Sequence, residues 1–352
     1  MGSGIARLLQ NKTGVRVLGA FDRDPRKIGR DLGEVIGGAP AGVQITAPPG
    51  ESDPWPQAAD VVIIATSSFV REVAGAITAA ARAGINVICI AEEMAFPWIN
   101  EPALAANIDQ VARAQGVTVV GTGINPGFVL DTLILTLTAP CLEVRRIGAT
   151  RVNDLSPFGP TVMRTQGVGL SVREFEQGLI DGEVVGHVGF PQSIQMVAKT
   201  LGWELEKIDE TREPIISKVR RETEYVQVEP GQVAGCRHSA TGYVRGEPRI
   251  KLVHPQQVLP HLEGVDTGDF IEIDGQPDIR MHIKPEIPGG IGTVAMAVNV
   301  IPQVLTAKSG LLSMAELTVP AALLGDVREI VNWRRGLHAA IAVPSDDENV
   351  SF

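Results

Sequence analysis

Asn86-Val87-Ile88-Cys89-Ile90-Ala91-Glu92-Glu93-Met94-Ala95-Phe96-Pro97-Trp98 is the stretch on which the reading of the fold turns. Its first half, Val87-Ile88-Cys89-Ile90, is apolar without alternation and rich in β-branched residues. That is the texture of a strand covered on both faces in a parallel α/β sheet. The run stops on two adjacent carboxylates. Ligands of open α/β sheets bind beyond the carboxyl ends of the strands, so Glu92 and Glu93 stand at the mouth of a cleft. Successive residues of an extended chain point to opposite sides, so one of the two enters it. The same pair reads equally well as a helix start, with acids near the positive end of the helix dipole. Met94, Phe96 and Trp98 make the surroundings partly dry. A carboxylate there has its charged form disfavoured and becomes a usable general base.

Upstream of this stretch the same alternation continues. Ala59–Thr66 is a strand ending in Thr66-Ser67-Ser68, and Val70–Ala81 has helical spacing closed by Gly84. Thr66 and Ser67 suit contact with a cofactor's phosphates or ribose; a helix start uses the same residues as caps. Nearer the start, Ile5, Leu8 and Leu9 mark a helix entered through Gly2 and Gly4, followed by a strand, Val15–Phe21, that ends on Asp22. Helix, strand and acid form the second half of a dinucleotide-binding unit, with Asp22 about twenty residues after the glycines to take the ribose hydroxyls of NAD. Arg23 and Arg26 follow closely and suit a 2′-phosphate, which admits NADP; they read as readily as exposed turn charges. The first strand and first two glycines of the unit are expected before Met1. Either the numbering starts at an internal methionine, which the smooth run into a helix favours, or Met1-Gly2-Ser3 is an added leader.

Downstream, Leu104–Gln115 is a helix and Val117–Gly123 a strand. Gly123-Ile124-Asn125-Pro126-Gly127 is a tight turn whose backbone can approach a flat ring, which places Asn125 and Pro126 at the cofactor. Strand–helix alternation through this half predicts a doubly wound parallel sheet. After Leu137 strands dominate: Val144–Val152, around Ile215–Val228, Val233–Val244, Ile250–His254, Phe270–Ile273 and Ile279–Ile283, with helices at Ser171–Gly178 and Ser193–Leu201. This predicts an α+β domain with a mixed sheet. The expected division is a dinucleotide-binding domain over 1–135, a substrate and dimerisation domain over 136–288, helices packing back over 289–345, and a mobile tail over 346–352. Arg151 and Asn153 lie two apart on a strand and share a face, where they can clamp a carboxylate; such a pair is more often a solvated surface. His254 ends an apolar strand before a proline, as a substrate hydrogen-bonder or as a structural histidine. Phe128, Phe158, Met163 and Phe190 are candidate apolar pocket walls, and equally candidate core.

The totals exclude several classes. The 352 residues suffice for two cores. A net charge of −10 argues against nucleic acid or an anionic membrane as partner. No run is long enough to span a bilayer, and no basic segment precedes an apolar one at the start. Cys89, Cys141 and Cys236 are far apart and odd in number, which points to reduced thiols in a cytoplasmic protein and to no metal site. None of the histidines pair at metal-ligand spacing on one helix, and no GxSxG, HExxH or P-loop is present.

Taken together, M-G-S-G-I-A-R-L-L, A-F-D-R-D-P-R-K, A-E-E-M-A-F-P-W, G-I-N-P-G-F, R-V-N-D-L-S-P-F-G-P-T-V-M-R-T-Q-G-V-G and H-P-Q-Q resemble one family over nearly the whole chain. It is the 2,4-diaminopentanoate dehydrogenases and related NAD(P)-dependent amine dehydrogenases, with an N-terminal domain similar to that of dihydrodipicolinate reductase. The resemblance implies a Rossmann domain, a mixed-sheet substrate domain, a homodimer, NAD or NADP as cofactor, and reversible conversion of an amine or diamino acid to a ketone plus ammonia. It places a catalytic glutamate at Glu93, with Glu92 the alternative, and a substrate pocket at Arg151, Asn153 and His254. The other readings are an imine reductase of the dihydrodipicolinate reductase kind and a non-catalytic nucleotide sensor. The former favours a histidine–lysine substrate motif that the sequence lacks.

Overall fold

The computed structural model describes residues 1–49, 55–56 and 58–341; the expected mobile tail lies outside them. The first half runs α1 (Gly2–Gln10), β1 (Ala20–Phe21), α2 (Leu32–Val35), β2 (Ile45–Thr46), β3 (Val61–Ile64), α3 (Val70–Arg82), β4 (Asn86–Cys89), α4 (Pro102–Gln115), β5 (Thr118–Gly121) and α5 (Thr132–Thr138). β3, β4 and β5 pair in parallel. β4 is central because it can be: Val87 and Cys89 point into one core with α3 and α4, while Ile88 points into a second core with α1 and the C-terminal helices. All three side chains are fully buried. Covering both faces withdraws each from water, worth about 1.5–3 kcal/mol for a large apolar side chain. The doubly wound sheet expected from the Val87–Ile90 run is therefore present. The predicted Val15–Phe21 strand is not: only Ala20–Phe21 is extended and paired, with β2, in a separate two-stranded sheet. Val15–Gly19 has no ladder partner among the described residues, and apolar content alone does not make a strand.

The second half runs β6 (Glu143–Asp154), α6 (Pro160–Thr165), α7 (Val172–Asp181), α8 (Phe190–Thr200), β7 (Lys207–Ile216), β8 (Arg221–Glu222), β9 (Gln227–Val228), β10 (Val233–Val244), β11 (Glu247–Gln257), β12 (Gly268–Gln276), β13 (Ile279–Ile283), α9 (Gly289–Asn299), α10 (Ile301–Val304), β14 (Gly310–Leu312) and α11 (Val327–Ile341). Six of the strands make one mixed sheet in the order β13-β12-β6-β11-β10-β7, parallel only between β6 and β11. The expected strand around Ile215–Val228 is corrected to the end of β7, which starts at Lys207, followed by the short pair β8 and β9. The β7 sequence, K-I-D-E-T-R-E-P-I-I, carries the charges and proline that an edge strand tolerates, and these hide its apolar signal. β14 was not foreseen; its three residues extend the parallel sheet beside β5. One face of the mixed sheet, with Ile147, Ala149, Ala240, Ile250, Leu252, Ile271 and Ile273, packs under α5 and α8. From α9 onward the chain returns to the parallel sheet, where Met296, Val298, Val300, Ile301, Val304, Val327 and Val331 join Ile5, Ile88 and Val120.

Candidate active site

β4 ends at Cys89, and a single turn of 3-10 helix, Glu92–Ala95, follows. The turn rests backbone to backbone on the end of β5: a Cβ on Gly121 would lie 2.0 Å from the Met94 carbonyl oxygen. Glycine is what lets the turn sit there. The two acids then part ways. Glu93 accepts the Val70 N–H at Oε2 and the Asn100 side-chain amide at Oε1, both at 2.9 Å. It thereby caps α3, whose own N-cap residue Phe69 offers no side-chain cap. Glu92 is half-buried in the same turn. Burial pushes its carboxyl above the usual range, the adjacent Glu93 charge adds to the rise, and the Ser68 hydroxyl pulls the other way. So the turn is both things the sequence allowed: a helical start, and a strand end carrying an acid with a perturbed pKa. Glu93, the first choice of the sequence reading, has both carboxylate oxygens engaged in the fold, and Glu92 has the perturbed carboxyl.

The residues expected around a cofactor are distributed as follows. Asp22 ends β1, salt-bridged at 2.6 Å to Lys27, which holds its carboxyl below the usual range. Arg26 is paired with Asp24 and lies far out in solvent, and Arg23 is exposed. Gly4 meets α9: a Cβ there would stand 2.9 Å from a Val294 methyl. Gly2 faces open space. Thr66 is exposed, and the Ser67 hydroxyl is used locally, donating to Glu72 and accepting the Phe69 N–H. Asn125 differs from all of these. It sits in the turn beyond β5, before a cis peptide bond to Pro126, and both polar atoms of its side chain are buried with no partner among the described residues. Buried amides are normally satisfied, so an amide left with a free donor and a free acceptor points to a ligand. The turn itself is firmly held. Asp131, fully buried, accepts from the Gly127 N–H and the Ser193 hydroxyl, both at 2.8 Å.

The third group lies where the covered face of the mixed sheet changes character. Toward one end it is apolar; one step on, the inward residues of neighbouring strands become Asp269 (β12), Arg151 (β6), His254 (β11) and His238 (β10). Register puts Arg151 opposite Asp269 and His254 opposite His238. The sequence allowed Arg151 and Asn153 to be a solvated surface; the structure corrects this, with 2% and 5% exposure. Arg151 donates to Asp269 at 2.5 Å and to the Ile287 carbonyl oxygen. A His254 ring nitrogen, Nε2, meets Asn153 Oδ1 at 3.0 Å, and its other nitrogen, Nδ1, is buried without a partner. His187 packs edge-on against His254 and Phe190, and its Nε2 is likewise unpartnered. Burial, then the neighbouring His238 and Arg151 charges, push His187 down to about 3; burial and His187 hold His254 well below the usual range. Both imidazoles are therefore neutral at physiological pH. Met163 and Phe158 belong to a small separate core with Leu155 and Val258, while Phe128 stands between the cores of the two sheets. The turn bearing Glu92 packs on α8, whose first residue, Phe190, lies against His187 and His238. The perturbed acid, the free amide and the polar row thus all lie on elements that pack against α8.

Residues 128–333 match the family model of the 2,4-diaminopentanoate dehydrogenase C-terminal domain. The chain is 44% identical over 335 residues to 2,4-diaminopentanoate dehydrogenase of Acetoanaerobium sticklandii, covering 94% of both chains. The chain belongs to the 2,4-diaminopentanoate dehydrogenase family. It is also 25% identical to an amine dehydrogenase of Streptomyces virginiae, covering 90% of this chain and 93% of the other. Among solved structures it is similar to amine dehydrogenase from Mycobacterium smegmatis, with a TM-score of 0.78, 24% identity, and 91% and 94% of the two chains covered. The family resemblance and the Rossmann fold read from the sequence are borne out.

Within this family chain, four residues of the site region escaped the sequence reading: His187, His238, Asp269 and Asp131. Asp269 and His238 become visible only through cross-strand register. His187 carried one usable signal, its flanking glycines. Gly186 and Gly189 adopt φ of +70° and +117°, and a Cβ on Gly189 would collide with Pro126.

Proposed function

We propose that this family member is an NAD(P)-dependent amine dehydrogenase in which Glu92 is the acid–base, acting on a small amine that also bears polar head groups, such as a diamino acid. The observation that carries the reading is the burial-raised Glu92 carboxyl at the end of the central parallel strand. The residues present fit a nicotinamide dinucleotide. Asp22 suits the ribose hydroxyls at the end of β1, and the unpartnered Asn125 amide offers the donor and acceptor that a carboxamide needs. When bound, the cofactor supplies hydride acceptance from the carbon bearing nitrogen. The chain's own part is protonic and electrostatic. Glu92 takes a proton from the substrate ammonium, since only the neutral amine can be oxidised. It passes that proton to solvent, and the carboxylate so regained faces the cation that develops at that carbon, where a lysine or arginine would repel it. It next activates the water that displaces ammonia. In reverse the same group supports ammonia addition and protonates the departing hydroxyl. The polar row at Arg151, Asn153, His254 and His187 orients the head groups. Asp269 balances the Arg151 charge, so the row favours a head group with both charges over a bare anion.

Ammonia-dependent oxidation of NADH or NADPH by small ketones and amino-ketoacids tests the reaction. Oxidation that ignores ammonia would sink it in favour of carbonyl reduction. Glu92→Gln should lower turnover about 10²–10⁴-fold, the usual worth of a positioned acid–base, with cofactor binding retained. Unchanged turnover would remove Glu92 from the mechanism. A homodimer and a cytoplasmic location belong to the same proposal. Thr150, Val152, Val253 and Phe270, on the sheet face opposite Arg151, are only partly covered, which suits a second copy; sedimentation of a monomer would reject it. The three free cysteines suit a reducing compartment, and among the described residues no helix is long and apolar enough to cross a membrane.

A further inference from the structure

Glu93 grips both sides of Phe69. Its backbone N–H donates to the Ser68 carbonyl oxygen at 3.1 Å, and its carboxylate accepts the Val70 N–H at 2.9 Å. Asn100 holds the other carboxylate oxygen. Ser68, so fixed, is the residue whose hydroxyl moderates the rise of the Glu92 carboxyl. Ser68, Glu93 and Val70 therefore form a closed circuit between the turn after β4 and the Thr66–Phe69 loop after β3. The helix end needs this partner, because an uncapped α3 leaves its first N–H groups unpaired. An anion is the best partner, because it meets the positive end of the helix dipole.

We propose that Glu93 is a positioning residue: it locks the cofactor-side loop, Thr66–Phe69, to the acid–base turn, so that Glu92 keeps its place beside the cofactor only while that loop is seated. The proposal rests on Glu92 being the acid–base. Glu93 is also the charged group beside Glu92. From β4 comes Cys89, whose thiol burial pushes up to about 12 and so keeps neutral. The loop after β3 contributes the neutral Ser68. The end of β5 contributes Thr122, and the one titratable side chain of α8 is Lys199, exposed in its last turn. Removing the Glu93 charge while keeping its oxygen therefore moves the titration of Glu92 without dismantling the circuit.

The test compares Glu93→Gln, Glu93→Ala and Glu92→Gln in the full chain, reading kcat, the KM for NADH or NADPH, and the pH dependence of kcat for amine oxidation. Glu93→Gln should stay within about tenfold of the parent in kcat, a difference of about 1.4 kcal/mol, and shift the ascending limb of its pH profile to lower pH. Glu93→Ala should raise the cofactor KM and lower kcat together, with glutamine restoring most of both. Glu92→Gln should lose turnover and keep its cofactor KM. If Glu93→Gln is as inactive as Glu92→Gln, Glu93 is itself the acid–base and both readings fall. If Glu92→Gln is inactive but Glu93→Gln leaves the pH limb in place, the positioning role is overturned while the Glu92 mechanism stands. If Glu93→Ala does not fold, the pH limb of Glu93→Gln decides alone.

Discussion

At the residue scale, adjacent acids of identical chemistry acquire different roles from their surroundings. A carboxyl whose folded pKa is raised favours folding in its protonated form; that stability is complete below the ordinary value and is lost as pH rises through the folded one. Glu92→Gln should therefore match or exceed the parent in thermal stability at neutral pH, by about 1.4 kcal/mol for each unit of displacement. A variant clearly less stable by calorimetry would mean that the Glu92 charge holds the fold together. His187 and His254 carry the opposite sign. Their folded values lie below 6.5, so their contribution is complete above it and lost as pH falls, for His187 toward about 3. Urea unfolding at about pH 7.5 and about pH 5 should show a smaller acid loss in His187→Asn and His254→Asn than in the parent. Asp22→Asn should shift the KM ratio toward NADPH by about tenfold, or 1.4 kcal/mol, because a carboxylate repels a 2′-phosphate. An unchanged ratio would leave Asp22 outside the cofactor site.

At the element scale, the Glu92 turn depends on the glycine beneath it. Gly121→Ala puts a methyl group into the Met94 carbonyl oxygen. It should cost about 2–3 kcal/mol by overpacking and reduce turnover more than cofactor binding; a neutral variant would mean that the turn can lift without consequence. The strand β4 and the helices α3 and α4 were legible because burial on both faces or one face writes a period into the sequence. β7 was not, because an edge strand is chosen for solvent and charge rather than for a core. Val15–Gly19 was overread for the converse reason, since a strand needs a neighbour to pair with and apolar residues alone do not supply one.

At the scale of the whole molecule, the polar row joins β6 to three strands, β10, β11 and β12, that lie far downstream of it in sequence. Asp269→Ala leaves the Arg151 guanidinium buried without its counter-charge, which should cost about 3–5 kcal/mol. Replacing the pair together, Arg151→Met with Asp269→Leu, should recover most of that stability while substrate KM rises. Calorimetry and substrate kinetics on the same proteins separate the two effects, and a stable but unaltered KM would show that the pair serves only the fold. Saturating NADH should raise the melting temperature by mass action, about 2.7 kcal/mol at a hundredfold excess over Kd.

The sequence by itself determined the doubly wound sheet, the strand that ends in acids, and the family, because period-2 and period-3.6 burial and short local motifs are properties of neighbouring residues. It also named Arg151, Asn153, His254 and Asn125. Only the tertiary structure decided what each does. Which glutamate has the perturbed carboxyl depends on a helix end that begins 23 residues before Glu93, at Val70. Whether Arg151 is solvated or buried depends on Asp269, 118 positions away. Burial and electrostatics act through space, and a linear pattern records them only where the chain happens to lie beside itself.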